Sequence, residues 1–292
     1  MNTINSSLRF DCLRKANTNG DYHADKDILS SSMLKDALVS PLSFVHSMTT
    51  HTTPTADMQF GTLMHALVME PHTVNELVAV SPSPLCSNTE SRQFRAANRD
   101  RLCIWHADFI KAQYLAEKTL NEKFRGRPFY KFVEESVCEQ SIYYTDPTTG
   151  LKCRVRPDME HPDFTFDLKS TRFYGPREFQ FDAERKHYDL SAYMYTYARF
   201  LAETQDAGET ATTKPFIIVS IFKTEPYGVF MRPCSTDFME NGRKKYNAAL
   251  QTIAACRASD YWPTTSGEIE LDLEHWQMYD PKRAPWMVSL QP

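Results

Sequence analysis

Period-two alternation is sharpest over residues 164–169. There Phe164, Phe166 and Leu168 share one face of an extended segment, and Thr165, Asp167 and Lys169 share the other. Such a strand, apolar on one side and carrying an acid–lysine pair on the other, is expected to border a cleft. Around it the pattern predicts a short helix over 33–38, with Ser30, Ser31 and Ser32 placed to cap it and Ser40-Pro41 to end it. A Thr-rich loop over 46–57 and a helix over 58–70, closed by Pro71, come next. The serine–proline pairs at 81–84 mark a turn, and the pattern from about 90 to 123 is helical. A strand over 137–144, a turn at 146–150 and a returning strand over 151–156 form an expected hairpin. After the 164–169 strand, an amphipathic helix is expected over about 182–204, strands over 216–222 and 227–232, and a last long helix over 236–257. The order predicts a mixed α/β protein, a central mixed β-sheet flanked by helices.

The organisation expected is an arm over 1–21, one domain over 22–262, and a tail over 263–292. Trp262, Trp276 and Trp286 near that end suggest packing on the domain or on a neighbouring subunit. At 292 residues the chain can bury a substantial core. No apolar run approaches the roughly 20 residues of a membrane span. The first residues lack the basic and apolar regions of a secretory signal, so the expected location is the cytoplasm. Seven scattered cysteines without a Cys-x-x-Cys pair argue against zinc and iron–sulfur sites and for free thiols. Cys138 and Cys153 could face each other across the hairpin, but two small buried side chains are the plainer reading.

A net charge of −4 does not advertise a nucleic-acid partner, yet ten basic residues lie between Arg92 and Lys131 against four acids. Such a stripe either tracks a phosphate backbone or is an ordinary solvated helix face, and the latter is the commoner case.

The candidate chemistry centres on Arg156-Pro157-Asp158 and Asp167-Leu168-Lys169, the second aspartate standing nine residues after the first. Two carboxylates reaching one point, with phosphate and water filling the other positions, suit the oxygen preference and near-octahedral geometry of Mg²⁺. Such an ion polarises a phosphoryl oxygen and lowers the pKa of a water. Lys169 can orient that water and offset charge in the transition state. Read alone, Asp-x-Lys on a strand is equally a surface ion pair of little worth. His65, one helical turn after Gly61, reaches either a metal or phosphate or is a hydrogen-bonded histidine of a half-buried helix. The glycine would permit close approach of another backbone. Glu139 is either a third acid near the metal or an exposed strand residue. Ser191 and Tyr195 share a helix face with Tyr188, facing either the DNA or the core. Arg156 and Arg172 are candidates to bind a DNA phosphate, or are ion-pair partners of nearby acids.

Taken in order, these pieces resemble the exonuclease VIII (RecE-type) family of PD-(D/E)xK nucleases, relatives of the RecB nuclease domain and lambda exonuclease. The resemblance begins at Tyr22-His23-Ala24, Ile28 to Lys35 and Ser40-Pro41. It continues through Phe60 to Pro71 with Gly61 and His65, then Arg154 to Asp158 and Asp167 to Thr171, and spans roughly 22–262. It implies a restriction-endonuclease-like core over that range. Asp158 and Asp167 would bind the metal with the Leu168 carbonyl, Lys169 would stand at the water, and His65 near the metal. Glu139 would match the glutamate that relatives carry before the acidic strand. Relatives often show Gln-x-x-x-Tyr on the following helix, whereas here Ser191 stands four residues before Tyr195.

The family implies a Mg²⁺-dependent exonuclease, Mn²⁺ being a substitute, that digests linear double-stranded DNA from 5′ ends and releases mononucleotides. It also implies a ring-shaped homo-oligomer, trimer or tetramer, a single-strand annealing protein as partner in phage-type recombination, and a bacterial or phage-encoded context. A structure-specific endonuclease of the same fold and a non-catalytic DNA-end-binding module are the competing readings.

Overall fold

The computed structural model describes residues 11–16, 19–50, 53–172 and 175–263. The expected tail with Trp276 and Trp286 and the first ten residues of the arm lie outside the described residues. The central sheet has five strands, in the order Val229–Pro233, Phe216–Phe222, Phe164–Thr171, Met159–His161, Val137–Cys138. Phe164–Thr171, which carries Asp167 and Lys169, is its middle strand. It runs parallel to Phe216–Phe222, with Asp167 opposite Ile218 and Lys169 opposite Ser220, and antiparallel to Met159–His161. The parallel pair requires a crossover. The helix Tyr188–Ala207, hereafter the tyrosine helix, provides it.

Both faces of the middle strand are covered over Phe164–Leu168, and Lys169 and Ser170 beyond them are half-buried. Phe164, Phe166 and Leu168 pack into a core with Phe60, Leu63 and Met64 of the helix Ala56–Met69. On the opposite face Thr165 is fully buried and receives a hydrogen bond from Arg199 Nη1 of the tyrosine helix, at 3.0 Å. Arg199 also donates to the carbonyls of Phe164 and His161, at 2.6 and 2.8 Å, and so clamps the turn that precedes the middle strand. Glu160 at 3.6 Å and Glu203 at 2.7 Å balance its buried charge.

A second sheet of three strands, Cys12–Lys15, Ser141–Thr145 and Lys152–Val155, packs with the tyrosine helix, the last helix Thr236–Ser259 and the helices Ser31–Val39 and Pro41–Thr49. Part of the expected loose arm is therefore an edge strand. Gly242 sets the contact between the two long helices. A Cβ there would sit 2.0 Å from the Asp189 carbonyl oxygen, so only glycine permits this approach. Trp262 stacks on Phe44 with ring centroids 5.4 Å apart.

Several expected elements are divided. The expected strand over 137–144 breaks at Glu139, whose φ of 53° turns the chain from the five-stranded sheet into the three-stranded one. The expected helix over 182–204 is two helices, Pro176–Arg185 and Tyr188–Ala207, separated at left-handed His187. The expected helix over 90–123 is Thr89–Ala97, a strand Leu102–Trp105 paired with Val78–Ser81, and the helix His106–Asn121. The expected loop over 46–57 belongs partly to the helix Pro41–Thr49, since Pro41 begins a helix as well as following one. Ser30 occupies the N-cap of Ser31–Val39, but its hydroxyl meets Ser32 Oγ at 2.9 Å and caps no backbone N–H. Cys153 lies opposite Tyr144, not Cys138, and all seven cysteines are free.

These breaks spread the basic stripe over two helices, a strand and the segments after them, and several of its members are engaged within the chain. Arg101 donates to the carbonyls of Asn75 and Glu76, and Lys118 to that of Tyr227. Lys111 and Lys131 pair with acids three residues away along their own helices.

Candidate active site

The site forms where the two sheets part. Two connectors cross from one sheet to the other side by side: Glu139-Gln140, and Arg156-Pro157-Asp158. The Glu139 backbone N–H donates to the Asp158 carbonyl at 3.1 Å. Arg156 Nε donates to the Glu139 carbonyl at 3.0 Å and lies 2.9 Å from its carboxylate. The positive φ of Glu139 turns that carboxylate back over the connector that carries Asp158. Missed by the periodic pattern, the short strand Met159–His161 places Asp158 directly beside the middle strand. There its carboxylate accepts a hydrogen bond from the Leu168 N–H at 2.6 Å.

His65 enters from the helix Ala56–Met69. Its Nε2 lies 3.2 Å from the Leu168 carbonyl and 3.6 Å from Asp158 Oδ2, and its Nδ1 is 3.6 Å from Glu139 Oε1. One ligand atom each from His65, Glu139 and Asp158 falls within 4.8 Å of the others. Asp167 is not one of these three, and its Oδ2 is paired with the Lys169 ammonium. Gly61 is not needed for a close approach. The nearest atom to a Cβ there would be Ser170 Oγ at 3.8 Å, an ordinary contact.

The electrostatics reflect crowded acids under low solvation. Burial, with Asp167 and Glu139 adding, pushes the Asp158 carboxyl up to about 7 against the pull of His65 and Lys169. Burial works against the His65 imidazolium, but Asp158 and Glu139 overcome it and raise its pKa to about 9. Burial likewise opposes the Lys169 ammonium, and Asp167 and Asp158 hold it charged beyond the usual lysine range. A carboxylate, a second carboxylate, a backbone carbonyl and an imidazole converging at a buried point suit a small divalent cation. Oxygen-rich donors favour Mg²⁺, and the imidazole suits Mn²⁺ as well. The raised Asp158 pKa marks negative charge that a cation would neutralise, so the residues present fit the ion.

A cleft of about 930 Å³ opens beside this cluster, bounded by Tyr22, Ser30 to Ser32, Thr62, Glu70, Arg156 and Tyr195. Arg156 Nη1 is buried without a hydrogen-bond partner among the described residues. Burial, with Asp167 adding, pushes the Tyr195 hydroxyl up to about 12, and Ser31 hydrogen-bonds to it. Ser191 is buried one turn before Tyr195 and does not line the cleft. Arg172 lies just past the middle strand, three-quarters exposed, with its guanidinium 3.4 Å from Asp57.

Lys35 is the residue that sequence reasoning passed over. Its ammonium sits 5.3 Å from the centre of the Tyr188 ring, and Lys169 lies 5.5 Å from the same ring. Burial, then the nearby charge of Lys169, brings its pKa down to about 8. The available signal was helical spacing, since Lys35 stands one turn after Ser31 on the same face of Ser31–Val39.

A mixed sheet flanked by helices, with acids and a lysine on and beside its middle strand, defines the PD-(D/E)xK class with its restriction-endonuclease-like fold. The chain belongs to the family described as PDDEXK-like domain of unknown function (DUF3799), whose profile matches residues 30–274. Among solved structures it resembles a protein from Eubacterium rectale described as a "putative exonuclease". The TM-score is 0.57 at 12% identity, covering 89% of this chain and 97% of that one. At that identity the likeness concerns the fold. No curated protein matches the sequence.

Proposed function

We propose that the protein is a Mg²⁺-dependent exodeoxyribonuclease of the exonuclease VIII type. On this reading it hydrolyses phosphodiester bonds of linear duplex DNA from its ends, 5′ to 3′, and releases mononucleotides in phage-type recombination or repair. The observation that carries the reading is the convergence of His65, Glu139 and Asp158 beside the Asp167–Lys169 pair, at the edge of a cleft. His65, Glu139, Asp158 and the Leu168 carbonyl would hold the ion, with Asp167 beside them. The ion supplies Lewis acidity toward a phosphoryl oxygen and makes a nearby water more acidic.

The chain's own groups do the rest. Lys169, kept charged by its acids, donates toward the attacking water and the negative charge that builds on the phosphoryl group. Tyr195, neutral at physiological pH, offers a hydroxyl into the cleft. Arg156 Nη1, unpartnered among the described residues, is a donor for a phosphate oxygen. A ring-shaped homo-oligomer and an annealing-protein partner belong to the same proposal through the family resemblance.

The test is nucleotide release from 5′-phosphorylated linear, 5′-hydroxyl linear and closed circular duplex DNA, with and without Mg²⁺. Release from the linear forms alone, dependent on Mg²⁺, supports the reading. Cleavage of the circle would assign an endonuclease instead, and no stimulated degradation of any DNA would reject nuclease function.

A further inference from the structure

Three ammonium groups converge on the Tyr188 ring: those of Lys35, Lys169 and Lys186, at 5.3, 5.5 and 6.0 Å from its centroid. Two of them are neutralised within the chain. Lys169 pairs with Asp167, and Lys186 lies 2.8 Å from Asp182. Lys35 has no ion pair and no side-chain hydrogen bond among the described residues; its ammonium lies over the ring face, and Asp167, Asp189 and Asp36 act on it only through space. The other buried acid of this region is already committed. Asp189 is held by Lys245 at 2.8 Å and by Asn241 at 2.6 Å. A half-buried ammonium beside two others, without an anion of its own, is electrostatically incomplete. The π face stabilises a cation only modestly and leaves the ammonium free to donate hydrogen bonds.

We infer that Lys35 is a substrate-binding residue that receives a backbone phosphate of the nucleic-acid strand, with Tyr188 as the platform that holds it beside Lys169. The inference rests on the proposed nuclease function and adds a contact outside the acid–metal cluster. Lys35 comes from the helix Ser31–Val39, and Lys169 comes from the sheet. A phosphate between them would also tie that helix to the middle strand on substrate binding. Ser31 and Ser32 line the cleft from the same helix, one turn before Lys35, which stands behind that lining beside Lys169.

The experiment measures duplex DNA binding by fluorescence anisotropy in Ca²⁺ over a NaCl series, for wild type, Lys35→Met and Lys35→Arg. Melting temperatures serve as the folding control. Loss of one phosphate contact makes the slope of log K against log salt shallower by about 0.9 in Lys35→Met, with affinity roughly 10-fold lower at low salt. Lys35→Arg keeps the wild-type slope. A merely structural lysine would leave the slope unchanged whatever its effect on melting. Lys35→Gln repeats the measurement should methionine disturb folding. A wild-type slope in the folded Met or Gln variant overturns the inference and leaves the nuclease reading standing. A wild type that neither binds nor degrades DNA overturns the nuclease reading itself, and the inference with it.

Discussion

The Asp158 carboxylate accepts a hydrogen bond from the backbone N–H of Leu168 at 2.6 Å, just beyond the last backbone pair between their strands, Met159 with Phe166: Asp158 is one residue past it and Leu168 two. A side chain thus takes the place of a ladder acceptor. It fixes the acid against the very segment that carries Asp167 and Lys169. The position of Asp158 follows from sheet register rather than from a flexible loop, and a charge-assisted bond of this kind is stronger than a neutral one.

Replacing Lys169 by alanine is expected to lower kcat by about 10²–10³, the scale of losing one donor to developing charge. Asp158→Asn and Asp167→Asn are expected to lower it at least as far. Circular dichroism should show the fold retained in all three. Near-wild-type nucleotide release by any of them would remove that residue from the chemistry.

His65→Ala and Glu139→Gln are expected to weaken Mn²⁺ or Mg²⁺ binding by at least roughly 10–100-fold, the range that losing a group merely supporting a metal ligand already costs. Isothermal titration calorimetry measures this without substrate. Unchanged affinity in both variants would place the ion elsewhere.

The metal-free protein should lose stability as pH rises. Asp158 has a folded pKa of about 7 against an ordinary 3.8, and His65 one of about 9 against 6.5. Each group therefore binds more protons folded than unfolded. Its contribution is complete below the ordinary value and disappears as pH climbs through the folded one. Melting in EDTA should fall between about pH 4 and 9 from these two groups. Protons compete with the ion, so Mg²⁺ should raise the melting temperature more at pH 9 than at pH 6. Asp158→Asn should reduce both trends, and a pH-independent difference between the variant and wild type would contradict the assignment.

Gly242→Ala is expected to destabilise the fold by about 1–3 kcal/mol or more, as overpacking of a tight contact does. The new methyl group would meet the Asp189 carbonyl, which a side-chain rotation cannot relieve. Urea denaturation gives the magnitude. A neutral result would mean that the two helices are free to separate.

Much of the sheet was legible because period-two and apolar runs report which side of a strand is buried. The strands Phe164–Thr171 and Phe216–Phe222 belong to that group, and the helix Thr236–Ser259 was legible from its helical period. The breaks at Glu139 and His187 were not legible. A single left-handed residue does not disturb the hydrophobic pattern, and its conformation is maintained by contacts made after folding. Leu102–Trp105 was lost inside a helical reading because only its parallel partner Val78–Ser81 makes it a strand.

The sequence by itself determined the chemical identities at the site: two aspartates and a lysine at strand spacing, a histidine on a helix, and a glutamate before them. Residue type and local period need no knowledge of the rest of the chain. Only the tertiary structure decided which of them meet. It brought Glu139 and Asp158 together at the parting of two sheets, paired Asp167 with Lys169 rather than placing it among the three convergent side chains, and set Lys35 against Tyr188. Those neighbours are separated by up to about 150 residues along the chain, and such distances are closed by burial of apolar faces, which local patterning does not encode.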